Sequence, residues 1–303
     1  MAFQKVTREK SKLRLALAGP SGAGKTLSAL LLAYGITNDW SKIALIDTEH
    51  GRAKFYANRS DFGTGEFLYQ EMSAPYSPDK YISMVKEGAE AVGEDGVVIV
   101  DSFSHAWDNE GGVLDIKSQI AEQPKKNDYS AWADAGKIQN NLVNSVLSAN
   151  CHTIVTMRAK MAYAMEQNDK GKNVPVKIGL APVQRENTEY EFDIVLNIAR
   201  NHIASASKDT TFLDSWSGVI TSELGKSLKE WLDDGVEPEI CEDCKKKILP
   251  TQNKTVQQIV DGSIETYGKK MCWACVMKEF RRRKGSEDSG TEGVSGSTGA
   301  KGT

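Results

Sequence analysis

The sequence predicts an α/β protein with a mainly parallel central sheet flanked by helices, followed by a small four-cysteine module. Three observations carry that reading. Short apolar runs alternate with helical patterns as far as residue 235, a glycine-rich turn joins the first run to the first helix, and two CxxC pairs stand near the C-terminus. Strands alternating with helices imply parallel pairing, since a parallel neighbour requires a long crossover.

The elements follow in order. Residues 13–18 (LRLALA) form a short apolar strand, and 26–36 (TLSALLLAYGI) are apolar nearly all round, as in a buried helix. Residues 43–46 are a second buried strand, and 66–72 alternate well enough for a third. Ser77-Pro78-Asp79 opens a helix that runs to about residue 92, with Ser as N-cap, Pro at the first helical position and an acid near the positive end. Residues 97–100 (VVIV) are a buried strand. Trp132, Ala135, Ile138, Leu142 and Val146 then space one face of a helix over 130–148. Strands at 153–157 and 192–198 complete the sheet, and a last helix over 226–234 stops at Gly235 with Pro238 beyond. Trp107, Trp132 and Trp216 are expected in the core, as is Cys151.

Composition narrows the class. The 303 residues are 40% hydrophobic and 26% charged, as in an ordinary globular protein. No apolar run approaches the ~18 residues that cross a bilayer. A basic N-terminus could open a signal peptide, but its apolar stretch is broken by Arg14 and runs into a glycine-rich loop, so a cytoplasmic location is expected. Residues 241–284 carry 11 basic and 5 acidic side chains against a net charge of -3 for the whole chain, so a basic module follows an acidic body. The expected domains are therefore residues 1–237, a basic cysteine module over 238–284, and a Gly/Ser/Thr-rich tail over 285–303 expected to be disordered.

Gly19-Pro20-Ser21-Gly22-Ala23-Gly24-Lys25-Thr26 fits GxxxxGK[ST] in its strand–loop–helix setting. Glycines let backbone N–H groups close round phosphate, Lys25 would pair with the β- and γ-phosphates, and the Thr26 hydroxyl would ligate Mg²⁺. Asp101 follows a buried strand and is the expected partner of that metal, against the plainer reading of a cap or turn residue. Ser102 occupies the next position, where many P-loop motors carry a water-polarising Glu. A base must come from elsewhere, and Glu49, just past the strand at 43–46, is the candidate if its strand lies two away from the P-loop strand. Its rival reading is a surface acid.

Ile46–Gly51 (IDTEHG), the P-loop and Val100–Ser102 (VDS) together resemble the RecA-type ATPase core, whose catalytic Glu falls on Glu49. PYSPDKY at 75–81, DSFSHAW at 101–107, TMRAK at 156–160, KIGLAPVQR at 177–185, EYEF at 189–192 and ASKD at 206–209 are similar to RecA-like, AAA-type ATP-binding proteins of tailed phages. Some of these are single-strand annealing or recombination ATPases. The similarity spans about residues 11–235. It implies an ATP- and Mg²⁺-dependent hydrolase that acts on single-stranded DNA as a homo-oligomer, in a bacterial host's cytoplasm if phage-encoded. The long N-terminal oligomerisation element of bacterial RecA is absent, which argues against a RecA-style filament. The resemblance also implies a γ-phosphate sensor on the strand at 153–157 and a DNA-touching loop after it. Residues 158–185 carry Arg158, Lys160, Lys170, Lys172, Lys177 and Arg185 against Glu166 and Asp169, which suits DNA phosphates or equally a solvated loop. Arg158 and Lys208 are candidates to act as sensor or to reach a neighbouring subunit's nucleotide.

Cys241-x2-Cys244 and Cys272-x2-Cys275 make a four-thiolate Zn²⁺ set, with a helix expected at about 255–267 between the pairs. The competing reading is a redox pair. Lys278 and Arg281–Lys284 flank the module and suit DNA contact or protein docking. A second functional class follows: an ATP-gated loader with little turnover that recruits a polymerase, helicase or single-strand-binding protein through the zinc module. A small-molecule kinase or GTPase is weaker, since no NKxD motif occurs. His50 could sit near the active site, while His105, His152 and His202 show no ligand spacing and receive no role.

Overall fold

A computed structural model describes residues 7–167 and 173–288. The described residues divide into two compact units, Ser11–Asp233 and a smaller one made of residues 7–10 and 234–288. Among the described residues no helix is long and apolar enough to cross a membrane.

In the larger unit, β1 (Arg14–Gly19) leads through the glycine-rich turn into α1 (Lys25–Thr37), and β2 (Ile43–Asp47) and β3 (Leu68–Glu71) follow. Helix α2 (Pro78–Val92) precedes β4 (Val97–Asp101), and α3 (His105–Asp108), α4 (Val113–Ala121) and α5 (Asp128–Leu147) precede β5 (His152–Gln167). Then come β6 (Asn173–Pro182), β7 (Ile194–Ile198), β8 (Ile203–Lys208), β9 (Ser217–Val219) and α6 (Ser222–Asp233). The sheet order is β3-β2-β4-β5-β1-β7-β8-β9, parallel from β3 through β7 and antiparallel at β8 and β9, with β6 paired to β5.

Helices cover both faces, so β1, β2 and β4 are buried along almost their whole length. One core layer holds Leu15, Leu17, Leu30, Leu45 and Ile99 against α1 and α6; the other holds Ala16, Ile46, Val98, Val100 and Val155 against α2 and α5. Pro78 opens α2 as expected, but Ser77 makes no side-chain capping bond. Trp132 departs from the expected core and is 42% exposed on α5, where it packs on Trp107 at 6.3 Å.

Two departures matter for function. The basic stretch after residue 157 is not an open loop: β5 continues past the sheet and turns back as β6 in an antiparallel hairpin, with a bulge at Ala162/Tyr163. Charges and the Gly, Asn and Asp cluster near residues 168–173 hid the alternation of VPVKI at 174–178. Lys170 and Lys172 lie outside the described residues, as does the tail from 289 onward, whereas α8 (Trp273–Asp288) extends past the expected start of that tail. Strand β2 also lies three places from β1 rather than two, with β4 and β5 between them.

α1 is seated by close approach to α6. A Cβ on Gly35 would stand 2.0 Å from the Ser222 carbonyl oxygen, and one on Gly225 2.3 Å from that of Leu32. Backbone cannot retreat as a flexible side chain can, so Gly35→Ala should cost roughly 1–3 kcal/mol, read as a lowered urea midpoint.

His152 starts β5 with its Nδ1 accepting the Leu13 N–H at 3.0 Å. Burial, with Lys12, Lys229 and Arg14 adding to it, pushes its pKa down to about 3. The unfolded chain therefore binds the extra proton first as pH falls, so this contribution to stability is complete above the ordinary value of 6.5 and declines from there toward pH 3. The unfolding free energy should fall by up to about 1.4 kcal/mol per pH unit in that window. The fall should be shallower in His152→Asn, whose amide oxygen accepts without titrating.

Candidate nucleotide site

Parallel register puts the C-terminal ends of four strands along one edge. Asp47 lies opposite Asp101, Val100 opposite Val155, and Gly19 opposite Arg158. Ligands bind at that edge of open α/β sheets.

The glycine-rich turn passes through Gly22 at φ +78° and Gly24 at φ +87°, left-handed conformations that glycine adopts freely. Gly24 is the N-cap of α1 and supplies no capping side chain, so the first-turn N–H groups of a 13-residue helix have none competing for them. Lys25 Nζ donates to the carbonyls of Gly19 at 3.0 Å and Pro20 at 3.1 Å, folded over its own loop. Burial lowers its pKa, while Asp101 and Glu49 work the other way. His202, whose spacing suggests no role, places Nδ1 3.0 Å from the Ala23 carbonyl and props the loop.

Asp101 ends β4, 2% exposed. Its Oδ2 accepts the Thr26 hydroxyl at 2.6 Å, and its Oδ1 accepts the Thr156 hydroxyl from β5. Burial pushes its carboxyl up, against those two hydrogen bonds and Lys25. A hydroxyl and a buried carboxylate beside an anion cradle are hard oxygen donors that fit Mg²⁺. Thr26 and Asp101 would hold that ion, whose chemistry is to neutralise phosphate charge.

Glu49 stands on a turn built by Asp47, whose Oδ1 accepts the Glu49 N–H at 2.6 Å and whose Oδ2 accepts the Ala53 N–H at 3.0 Å and the Tyr69 hydroxyl at 3.2 Å. Glu49, Lys25, Thr26, Asp101 and Arg158 line one cleft of about 830 Å³, which Phe55 also borders. Two intervening strands do not separate Glu49 from the cradle, because its turn folds over the strand ends. Its Oε1 accepts the Nε–H of Arg158 at 2.9 Å and stands 2.9 Å from Nη2 of the same guanidinium, and Arg52 lies 3.6 Å from Oε2. Arg158 thus meets the cleft within its own chain.

Residues 11–224 match the family model for an AAA domain. The chain belongs to that family. No curated protein matches it. The AAA domain is an ATP-binding domain of the ATPase type.

The other residues singled out in the sequence fall elsewhere. Lys160 is exposed on β5 just past Arg158, and Lys177 pairs by its backbone with Tyr163 in the hairpin. Arg185 follows β6 and donates to Asn140 Oδ1 of α5 at 3.1 Å. Lys208 donates to the Tyr190 carbonyl, and neither it nor His50 lines the cleft of the AAA domain. Sequence reasoning missed Asp47 and Thr156, whose roles depend on strand register.

In the smaller unit, the four cysteine sulfurs of residues 241, 244, 272 and 275 lie within 4.8 Å of one another, with Cys244 and Cys272 3.7 Å apart. Tetrahedral zinc at ~2.3 Å from each sulfur requires sulfurs about 3.8 Å apart, so the set fits. Helix α7 (Val256–Tyr267) sits between the pairs, capped by Thr255 and Gln258 in a reciprocal box. The enclosed core of Cys241, Ile248, Ile259, Val260 and Met271 is small for a unit without a metal. Of the basic flank, Arg282 and Arg283 pair with Glu279. Purified protein should carry about one zinc per chain by elemental analysis, and Cys272→Ser should lower that content several-fold.

Proposed function

We propose that the protein is a Mg²⁺-dependent, RecA-like ATPase of phage type that binds single-stranded DNA in recombination, annealing or replication. The convergence of Glu49, Lys25, Arg158 and the Thr26–Asp101 pair in one cleft carries this reading. Lys25 and the loop backbone hold the β- and γ-phosphates, Thr26 and Asp101 the metal, and Glu49 takes the proton of a water aligned with the γ-phosphate. ADP and inorganic phosphate are the products.

The hairpin supplies the route to DNA. Arg158 sits at its base, where the Arg158 carbonyl accepts the Val183 N–H at 2.6 Å and Ala159 pairs with Pro182. A change of partner at Arg158 is therefore felt where β5 and β6 leave the sheet. We assign the hairpin, with Lys160, Lys170, Lys172, Lys177 and neighbouring Arg185, to the DNA backbone. Homo-oligomer formation, with Lys208 as a cation for a neighbouring nucleotide, belongs to the same proposal, as does docking of a polymerase, helicase or single-strand-binding protein on the zinc module.

Glu49→Gln should lower turnover by about 100-fold or more while ATP affinity stays within a few-fold. Normal hydrolysis by that variant contradicts the mechanism. The wild-type rate should rise with single-stranded DNA, and DNA affinity should fall steeply between two salt concentrations. A rate that is negligible and indifferent to DNA favours the loader instead.

A further inference from the structure

Behind Glu49, outside the lining of the cleft, stands a histidine to which neither the sequence nor the proposed mechanism gives a role. His105 opens α3, 1% exposed, with its ring held on two sides. Tyr76 packs on it at 5.1 Å between ring centres. Thr48 Oγ1 lies 2.7 Å from Nδ1, and Thr48 is itself fixed by accepting the Ser102 N–H at 2.8 Å. The Ser102 carbonyl in turn accepts the Tyr81 hydroxyl at 3.0 Å.

The ring's surroundings bear on its tautomer. Thr48 has one proton to donate and two acceptors in reach: His105 Nδ1 at 2.7 Å and the Ser102 carbonyl at 3.2 Å. The Glu49 carboxylate 3.8 Å from Nε2 favours the ring hydrogen on that nitrogen, facing the negative charge, and in that tautomer Thr48 donates to Nδ1. Among the described residues Nε2 is one of three buried side-chain polar atoms without a hydrogen-bond partner. Glu49 Oε1 stands 3.8 Å from it, just beyond hydrogen-bond reach. That same oxygen accepts the Nε–H of Arg158 and is ion-paired with its Nη2.

A carboxylate oxygen that accepts from a guanidinium is not free to accept from a water. Phosphate oxygens compete for the same planar donors and carry more charge. We propose that His105 is a positioning residue for Glu49: when a bound triphosphate draws Arg158 away, Glu49 closes onto the Nε2–H of His105, which fixes one carboxylate oxygen and leaves the other for water. The inference rests on the reading of Glu49 as the base. The buried, unpartnered donor is then a place kept for a carboxylate in the nucleotide-bound state, and Thr48 holds the opposite ring nitrogen.

Two substitutions separate positioning from packing. In His105→Asn the amide oxygen stands where Nδ1 did and still accepts from Thr48, but nothing reaches the Nε2 position. In His105→Gln the amide nitrogen extends to that position. Turnover and KM for ATP, with affinity for a fluorescent ATP analogue, are measured for both beside Glu49→Gln. His105→Asn should lose about 10- to 100-fold in kcat with KM and analogue affinity within about two-fold, and His105→Gln should recover most of that loss. His105→Asn turning over like wild type, or His105→Gln failing alongside it with analogue affinity intact, overturns the inference. If Glu49→Gln itself retains turnover, the parent reading fails instead.

A measurement on the unaltered protein covers the case of variants that fail to fold. With ¹⁵N-labelled histidines, the His105 ring should report the Nε2–H tautomer, and its Nε2 resonance should move when Mg²⁺ and a non-hydrolysable ATP analogue are added. A ring protonated on Nδ1, or one unmoved by nucleotide, contradicts the assignment.

Discussion

The hydrogen bond from the Thr26 hydroxyl to the buried Asp101 carboxylate ties together what the rest of the cleft depends on. Thr26 belongs to the first turn of α1 and Asp101 to the end of β4, and Thr156 on β5 takes the second carboxylate oxygen. One side chain thereby sets the glycine-rich loop, the end of β4 and the strand that carries Arg158 against each other. A buried carboxylate is costly unless partners surround it. Two threonine hydroxyls and a nearby lysine meet that demand while leaving the group ready for a cation.

A second constraint is electrostatic. Glu49 and Arg158 neutralise each other across the mouth of the cleft, and Lys25 turns back onto its own loop. The charges that would act on a triphosphate are thus satisfied internally before one arrives. Under the proposed function, a triphosphate would exchange those partners, and the exchange at Arg158 would fall at the base of the hairpin.

Much of this was legible in the sequence because it is local. The phosphate loop, the apolar strands that end in Asp47 and Asp101, and the paired cysteines are set by spacing within a few residues. The remainder depends on register between distant strands. Nothing near Thr156 announces that it will face Asp101, and nothing near His105 announces a buried donor beside Glu49. The hairpin was hidden for a different reason: charge and glycine outweighed a short alternating pattern that pairing across the hairpin satisfies. The exposed Trp132 was missed because a helical face reads the same from sequence whether it meets core or solvent.

The most direct test is a structure of the protein with Mg²⁺, ADP and aluminium fluoride bound. The account predicts the metal on the Thr26 hydroxyl, Arg158 turned to the fluoroaluminate, and the Glu49 carboxylate against a water in line with it. A complex in which Glu49 still pairs with Arg158, or faces away from the metal fluoride, would contradict it.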